Sequence, residues 1–226
     1  MPVPRLDIVT KAGAAPSPHD APESRAAKKE RTRQALLDTA MDLLADRGFS
    51  GISLREVARE AGIVPTAFYR HFASMEDLGV ALVEESMRML RQMLRDARRN
   101  HSAQDAAASL DILVRQVHTH ERQFRFLCRE RYGGVSEVRR AINTEMRLFV
   151  SELTIDLSRI AGLEGWQDAD LEMAADLIVG AMFTTVVELL DAGSAGHRSE
   201  DAVIGRAEKQ LRLIMLGMAT WNPSRS

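Results

Sequence analysis

The chain has 226 residues, 45% of them hydrophobic and 27% charged, with a formal net charge of −2. This is an ordinary soluble composition, long enough for one large or two small domains, and its overall charge does not announce a nucleic-acid binder. One cysteine, Cys128, rules out an internal disulfide framework and suits a reducing cytoplasm; the longest apolar run, Leu177–Val187, is too short to span a bilayer as a helix, so no membrane segment is expected.

Residues 1–27 contain no apolar stretch of signal-peptide length, and Pro2, Pro4, Pro16, Pro18 and Pro22 among Ala and Ser predict a flexible tail. From Lys28 to Phe72 there are eight basic residues (28, 29, 31, 33, 47, 55, 59, 70) against six acids (30, 38, 42, 46, 56, 60). The excess is slight, but four of the basic residues crowd Lys28–Arg33. Leu36, Ala40, Leu43 and Leu44 recur at helical spacing, so Lys28–Asp46 is read as a helix ended by Arg47-Gly48.

In Ser53–Phe72, SLREVAREAGIVPTAFYRHF, the residues Leu54, Val57, Ala58 and Ala61 recur at i, i+3, i+4 and i+7. They form the apolar face of a short helix that Ser53 is placed to cap and Gly62 to stop. Pro65 fits the first turn of the next helix, predicted over Pro65–His71, and the pair makes a helix-turn-helix. Phe68 and Phe72 are expected to anchor the inner side. Pro65, Thr66, Ala67, Tyr69, Arg70 and His71 then line the outside. Small residues at a helix start can approach base edges in the major groove, while a phenol, a guanidinium and an imidazole reach flanking phosphates. Arg55 flanks this reading surface, and Arg31 lies in the basic cluster upstream. A packed helical hairpin whose polar side only faces water has the same spacing.

Residues Arg31–Leu78, through TRQALLDTAMDLLADRGFSGISLREVAREAGIVPTAFYRHFASMEDL, resemble the N-terminal domain of the TetR family of transcriptional regulators. The first helix, the Gly48-Phe49 turn, the two helices and the FYRHF-to-EDL junction occur in family order. The resemblance implies DNA contacts from Arg31, Ser53, Arg55, Pro65, Thr66, Ala67, Tyr69, Arg70 and His71. Two positions depart from the pattern. Val64 stands where a capping Ser is common and Met75 where a phosphate-binding Lys is common, so that cap and that contact do not carry over.

Ser74 is expected to cap a long helix, about 74–100, with Asp77 three residues on. Leu78, Leu82, Val83, Met87, Leu90 and Leu94 form its inner stripe, and Arg88, Arg91, Arg95, Arg98 and Arg99 its other side, either solvated or attracting an anion. Every later segment also reads as helix. Ala107, Leu110, Val114 and Val117 mark one from about Ala103. Glu121–Tyr132, Val135–Ile160, Asp168–Ala192 and Glu200–Thr220 follow, with no period-two pattern. The chain is therefore expected to be all-α: a tail in 1–27, a helix-turn-helix domain in 28–73 and a helical bundle in 74–226. His118 and His120, two apart, share no helix face, and no metal site is expected. Cys128, in Phe126-Leu127-Cys128, reads better as a buried small hydrophobe than as a redox switch.

The helix 168–192 is apolar around most of its circumference, as in a bundle core, or in a bundle that covers surplus apolar faces with a second copy of itself. A two-fold homodimer would also present two reading helices to a palindromic double-stranded operator. Met87, Met93, Phe124, Met146, Phe149, Met182 and Phe183 either form a simple core or line a tunnel for a flexible apolar ligand. AGIVPTAFYRHF, the 76–98 segment and FRFLCRERYG are similar to the TetR-type repressors of unsaturated fatty acid synthesis, the FabR and DesT regulators, over about 28–157. That resemblance implies a repressor sensing long-chain acyl-CoA, with Phe124, Leu127, Met146, Phe149, Met182, Phe183 and Val186 toward the ligand. Arg129 and Arg131 then neutralise its head group, or else pair with Glu130, Glu137 or Glu145. A regulator of efflux or catabolism responding to a drug-like or aromatic molecule is the nearest rival. No nucleophile–base pair, HExxH helix or phosphate loop points to catalysis, and no cofactor is expected beyond the effector.

Overall fold

The computed structural model describes residues 24–100, 106–160, 162–163, 165–192 and 196–221, the side chains of 93–100 and 106–109 excepted, and among these residues all regular structure is helical. The tail residues 1–23, Ala103, and the side chains of Met93, Leu94, Arg95, Arg98, Arg99 and Ala107 lie outside the described residues.

Helix α1 (Arg25–Leu43) begins earlier than Lys28, because Ser24 Oγ accepts a hydrogen bond from the Ala27 N–H at 3.1 Å and so caps its first turn. A 3-10 turn over Phe49–Gly51 leads into α2 (Leu54–Glu60), capped as expected by Ser53, whose Oγ accepts from the Glu56 N–H at 3.3 Å. Gly62 ends α2 in the left-handed region, φ 70°. There the Ile63 N–H reaches the Ala58 carbonyl and the Gly62 N–H the Arg59 carbonyl, the paired bonds of a Schellman stop.

Helix α3 (Pro65–Phe68) is a single turn, shorter than the expected Pro65–His71. Arg70 and His71 donate three residues back, to Ala67 and Phe68, so the segment tightens into 3-10 turns before it swings into α4 (Met75–Asn100). The start of α4 is a capping box shifted by one residue. Ser74 Oγ accepts from the Asp77 N–H at 3.1 Å, and the Asp77 carboxylate accepts from the Ala73 N–H at 3.0 Å.

The remaining helices are α5 (Ala106–Thr119), α6 (Glu121–Glu130), α7 (Ser136–Leu157), α8 (Asp168–Leu190) and α9 (Glu200–Thr220). Helices α6, α7 and α8 stop slightly before the expected ends because their last N–H groups bond three residues back, as in Gly133 to Glu130, Ile160 to Leu157 and Ala192 to Leu189. One apolar cluster runs from Leu36 and Phe68 through Leu78, Leu82, Leu110 and Ile142 to Leu211, so the DNA-side helices and the bundle share a core. A second, smaller one joins Val150, Leu171, Ala175 and Met218 at another part of α7, α8 and α9. By length and composition α8 alone among the described residues is apolar enough to cross a membrane, which the eleven-residue run did not indicate; here it packs between α7 and α9 and carries Asp168, Asp170, Glu172, Asp176 and Glu188.

Gly79 sets how closely α4 approaches its neighbours. A Cβ there would lie 2.6 Å from both Phe49 Cζ and Val138 Cγ2, and both of those side chains are buried. Gly79→Ala is therefore expected to lower unfolding free energy by about 1–3 kcal/mol, the usual cost of overpacking, read by urea denaturation.

Candidate nucleic-acid interface and effector region

The helix-turn-helix is held from inside by its aromatic anchors. Phe68 and Phe72 are buried with ring centroids 5.7 Å apart, and the Arg33 guanidinium of α1 lies 4.9 Å over the Phe72 ring. Val57 and Ala58 of α2 complete the contact, fully buried. With that side committed to the core, the other side of α3 faces out. Pro65, Thr66 and Arg70 are exposed, Ala67 is half-buried, and Tyr69 is 62% exposed with its ring edge against Phe68. Arg31, Ser53 and Arg55 are exposed as well. Val64, as its apolar side chain requires, makes no cap, and Met75 packs partly buried against the core.

His71 is less available than its place in the sequence implied. It is half-buried with Nδ1 enclosed and unpartnered. Burial, and then the cations of Lys29, Arg33 and Arg70, hold its pKa below the ordinary 6.5. A neutral imidazole releases no counterion, so at pH 7.5 His71→Gln is expected to leave the salt dependence of DNA binding unchanged, whereas Arg70→Gln reduces its logarithmic slope by about 1. The sign for stability follows from the same depression. The unfolded chain takes up the proton first, so folding stability is intact above pH 6.5 and falls as pH drops below it. A thermal melt series across that range is expected to show a smaller drop for His71→Gln than for the wild type.

Of the residues expected around an effector, Phe124, Leu127 and Val186 are buried in the main core, with Met146, Phe149 and Met182 packed against it. Phe183 lies beneath the Arg131 guanidinium, 4.2 Å from the ring centroid, and Arg131 Nη1 is buried without a hydrogen-bond partner. Arg129 is placed elsewhere. Its Nη1 donates to the carbonyls of Leu44 at 3.1 Å and Arg47 at 2.6 Å, so it faces the end of α1 and not a ligand head group. Nor does any of the three acids weighed as partners pair with Arg129 or Arg131. Glu130 accepts from the Phe49 N–H, Glu137 is bonded by Ser136 and Arg140, and Glu145 pairs with Arg91. Arg91 therefore belongs to the α4–α7 contact and not to a solvated face.

Two cavities are described, one of about 350 Å³ between Glu188, Gly196, His197, Arg198 and Val203, the other a groove of about 420 Å³ between α8 and α9. None of the nine expected effector residues lines either. The groove is bordered by Leu177, Gly180, Ala181, Gln210, Leu213 and Ile214, and beside it Met173, Leu177, Leu213 (72% exposed) and Leu216 make an open apolar face. His118 sits 3.3 Å from Glu200, and no metal-ligating group of three or more occurs among the described residues. Cys128 is partly buried against the core, and burial pushes its thiol up to about 12, which keeps it protonated at neutral pH.

Sequence reasoning missed the contact between α6 and the first domain. Arg122 of α6 pairs with Asp42 at 2.6 Å, and Arg129 and Glu130 bind backbone atoms. One signal was present: α1 ends without a basic residue in its last turn, so its terminal carbonyls need donors from elsewhere.

Residues 36–82 match the family described as bacterial regulatory proteins, tetR family, and residues 102–220 match the tetracyclin repressor-like C-terminal domain. Among solved structures, a transcriptional regulator from Rhodococcus sp. Rha1 superposes with a TM-score of 0.65 at 17% identity, over 84% of this chain and 99% of that one. The fatty acid degradation regulator FadR from Bacillus halodurans gives 0.61 at 17% identity, over 82% and 95%. FadR from Bacillus subtilis, in complex with stearoyl-CoA, gives 0.61 at 17% identity, over 81% and 98%. At these identities the structures establish the fold alone. With both its N-terminal and its C-terminal domain matched, the chain belongs to the TetR family of transcriptional regulators, proteins that bind DNA operators and small-molecule effectors, typically as dimers.

Proposed function

We propose that this chain is a cytoplasmic homodimeric repressor that binds a palindromic operator through residues 28–73 and responds through residues 74–226 to a long-chain acyl-CoA. Its targets are then genes of fatty acid desaturation or unsaturated fatty acid synthesis. The observation that carries the DNA-binding half is the exposed edge of Thr66, Tyr69 and Arg70, backed by fully committed Phe68 and Phe72. Pro65, Thr66 and Ala67 read base edges; Arg31, Ser53, Arg55, Tyr69, Arg70 and His71 position the domain on the backbone. The apolar face of α8 and α9 supports the dimer, since such a patch on a lone chain would be left in water.

The effector half is supported by the resemblance to regulators of unsaturated fatty acid synthesis and by the stearoyl-CoA bound to the Bacillus subtilis relative in fold. In this chain Phe124, Leu127, Met146, Phe149, Met182 and Val186 belong to one apolar core cluster, and methionines repack readily around a flexible chain. Arg131, stacked on Phe183 with a buried unpaired nitrogen, supplies a cation for an acidic group. A ligand changes operator affinity only through a difference in its affinity for the two states, so kinked and straight acyl chains are distinguished by how each fits the DNA-competent packing.

The test is a gel shift on a selected operator with oleoyl-CoA and stearoyl-CoA, beside native mass spectrometry of the purified protein. The expected result is a dimer whose operator affinity differs between the two thioesters, with Phe149→Trp or Met182→Trp abolishing the difference while basal binding persists. Equal affinity with either thioester and with neither present would refute the acyl reading.

A further inference from the structure

Helices α6 and α8 run antiparallel along a common seam with an arginine at each end. At one end Arg125 Nη2 donates to the Leu190 carbonyl at 2.6 Å; at the other Arg131, just past the last residue of α6, lies 4.2 Å over the Phe183 ring. Moving forward along α6 is thus moving back along α8, over a seam of about 10 Å. Between its ends Leu127 and Val186 are buried in the main core. Phe124, Leu127 and Arg131 stand at i, i+3 and i+7, so one face of α6 is apolar at two positions and charged at the third.

The surroundings of the two arginines differ. Arg125 has the Leu190 carbonyl, Glu121 at 2.7 Å and Asp191 at 4.0 Å. Arg131 Nη1 is enclosed by protein and has no hydrogen-bond partner. Among the described residues no carboxylate pairs with it, since Glu130 accepts the Phe49 N–H, Glu137 and Glu145 pair with Arg140 and Arg91, and Asp191 faces Arg125. A charged donor buried without a partner is costly to fold around, and a ligand that supplies the partner recovers that cost.

Resting on the reading of this core as an acyl site, we propose that Arg131 receives a carboxylate, so that an unesterified long-chain fatty acid is a ligand of the α6–α8 seam and competes there with the thioester. Three features select that class. The group is small, because the nitrogen it meets is enclosed. It is an anion, because a guanidinium stays charged, and a neutral acceptor would satisfy the hydrogen bond while leaving the charge buried. It carries an apolar tail, because the helix face leading to Arg131 is Phe124 and Leu127. A planar carboxylate fits the in-plane edge of a guanidinium, whose face is already taken by Phe183. A thioester brings only an uncharged carbonyl to that place, its phosphates lying far along the pantetheine arm. Met182, beside Phe183 and packed against the core, can repack to admit the chain.

The test uses the full-length protein, stripped of lipid and titrated by calorimetry with oleate, oleyl alcohol and oleoyl-CoA below their micellar concentrations. Oleate is expected to bind at least about tenfold more tightly than oleyl alcohol, which has the same chain without the charge, and to displace oleoyl-CoA. Arg131→Gln is expected to bring oleate to within about twofold of the alcohol at unchanged helix content, and Arg131→Lys, which keeps the charge, to restore part of the preference. Equal affinity of the wild type for oleate and the alcohol would overturn the carboxylate site, a comparison that needs no variant to fold. An oleate preference that survives in Arg131→Gln would overturn it as well. A wild type that binds oleoyl-CoA but not oleate refutes the carboxylate site and leaves the acyl-CoA reading standing. One that binds oleate but not oleoyl-CoA supports the site and refutes that reading, and one that binds neither refutes both.

Discussion

The double substitution Leu177→Glu, Leu213→Glu is expected to convert the proposed dimer into monomers and to weaken operator binding by at least about a hundredfold. Both side chains are exposed on the chain itself, at 56% and 72%, so neither charge disturbs the folded monomer. Surface changes of that kind alter stability by only about 0.5 kcal/mol. At a two-fold interface each substitution appears twice, placing four carboxylates on a contact that would otherwise exclude water. Loss of pairing then removes the second half-site contact, whose effective concentration raises affinity by roughly 10²–10⁴. Sedimentation velocity reads the first effect and a gel shift the second. A double variant that remains dimeric would place the interface elsewhere.

Phe68→Ala is expected to cost about 3–5 kcal/mol, a large share of the roughly 5–15 kcal/mol that holds a domain folded. Phe68 is fully buried and touches both neighbouring aromatics, Tyr69 and Phe72. Helix α3 is a single turn with no side-chain cap, too short to persist by its own propensity. Its shape therefore depends on that one anchor. The control is Tyr69→Ala, which removes an exposed ring and is expected to leave the urea midpoint nearly unchanged while DNA binding falls. Loss of DNA binding in Phe68→Ala without loss of stability would contradict the anchoring role.

The helix-turn-helix was legible because its signals are local. Spacing of Leu54, Val57, Ala58 and Ala61, the cap at Ser53, the positive φ at Gly62 and the proline at α3's start each act within a few residues. The end of α3 was not, since the Tyr69–Phe72 stretch continues a helical spacing while the Arg70 and His71 N–H groups bond three residues back. Capping at Ser74 was read correctly, but the partner of Asp77 is the Ala73 N–H, one residue further back than a regular box.

Around α6 the sequence was least informative. Arg129, Glu130 and Arg131 are consecutive charges, and nothing in their order shows that two of them turn to the backbone of α1 and the Phe49 turn while the third stacks on Phe183. Backbone donors and acceptors recur at nearly every residue, so the order of charges in α6 does not single out which of them a side chain reaches. Methionine and phenylalanine content likewise does not separate a tunnel from a packed core. Phe124 and Leu127 are buried in the core, and the two cavities described lie against other residues.

In vitro selection from random duplex DNA with the purified full-length protein probes the central claim without an assumed operator or effector. The account predicts enrichment of one palindrome, its half-sites centred about one helical turn or a multiple of it apart, with Thr66 and Ala67 variants selecting a different half-site. Enrichment of no sequence, or of an unpaired half-site by a dimeric protein, would contradict it.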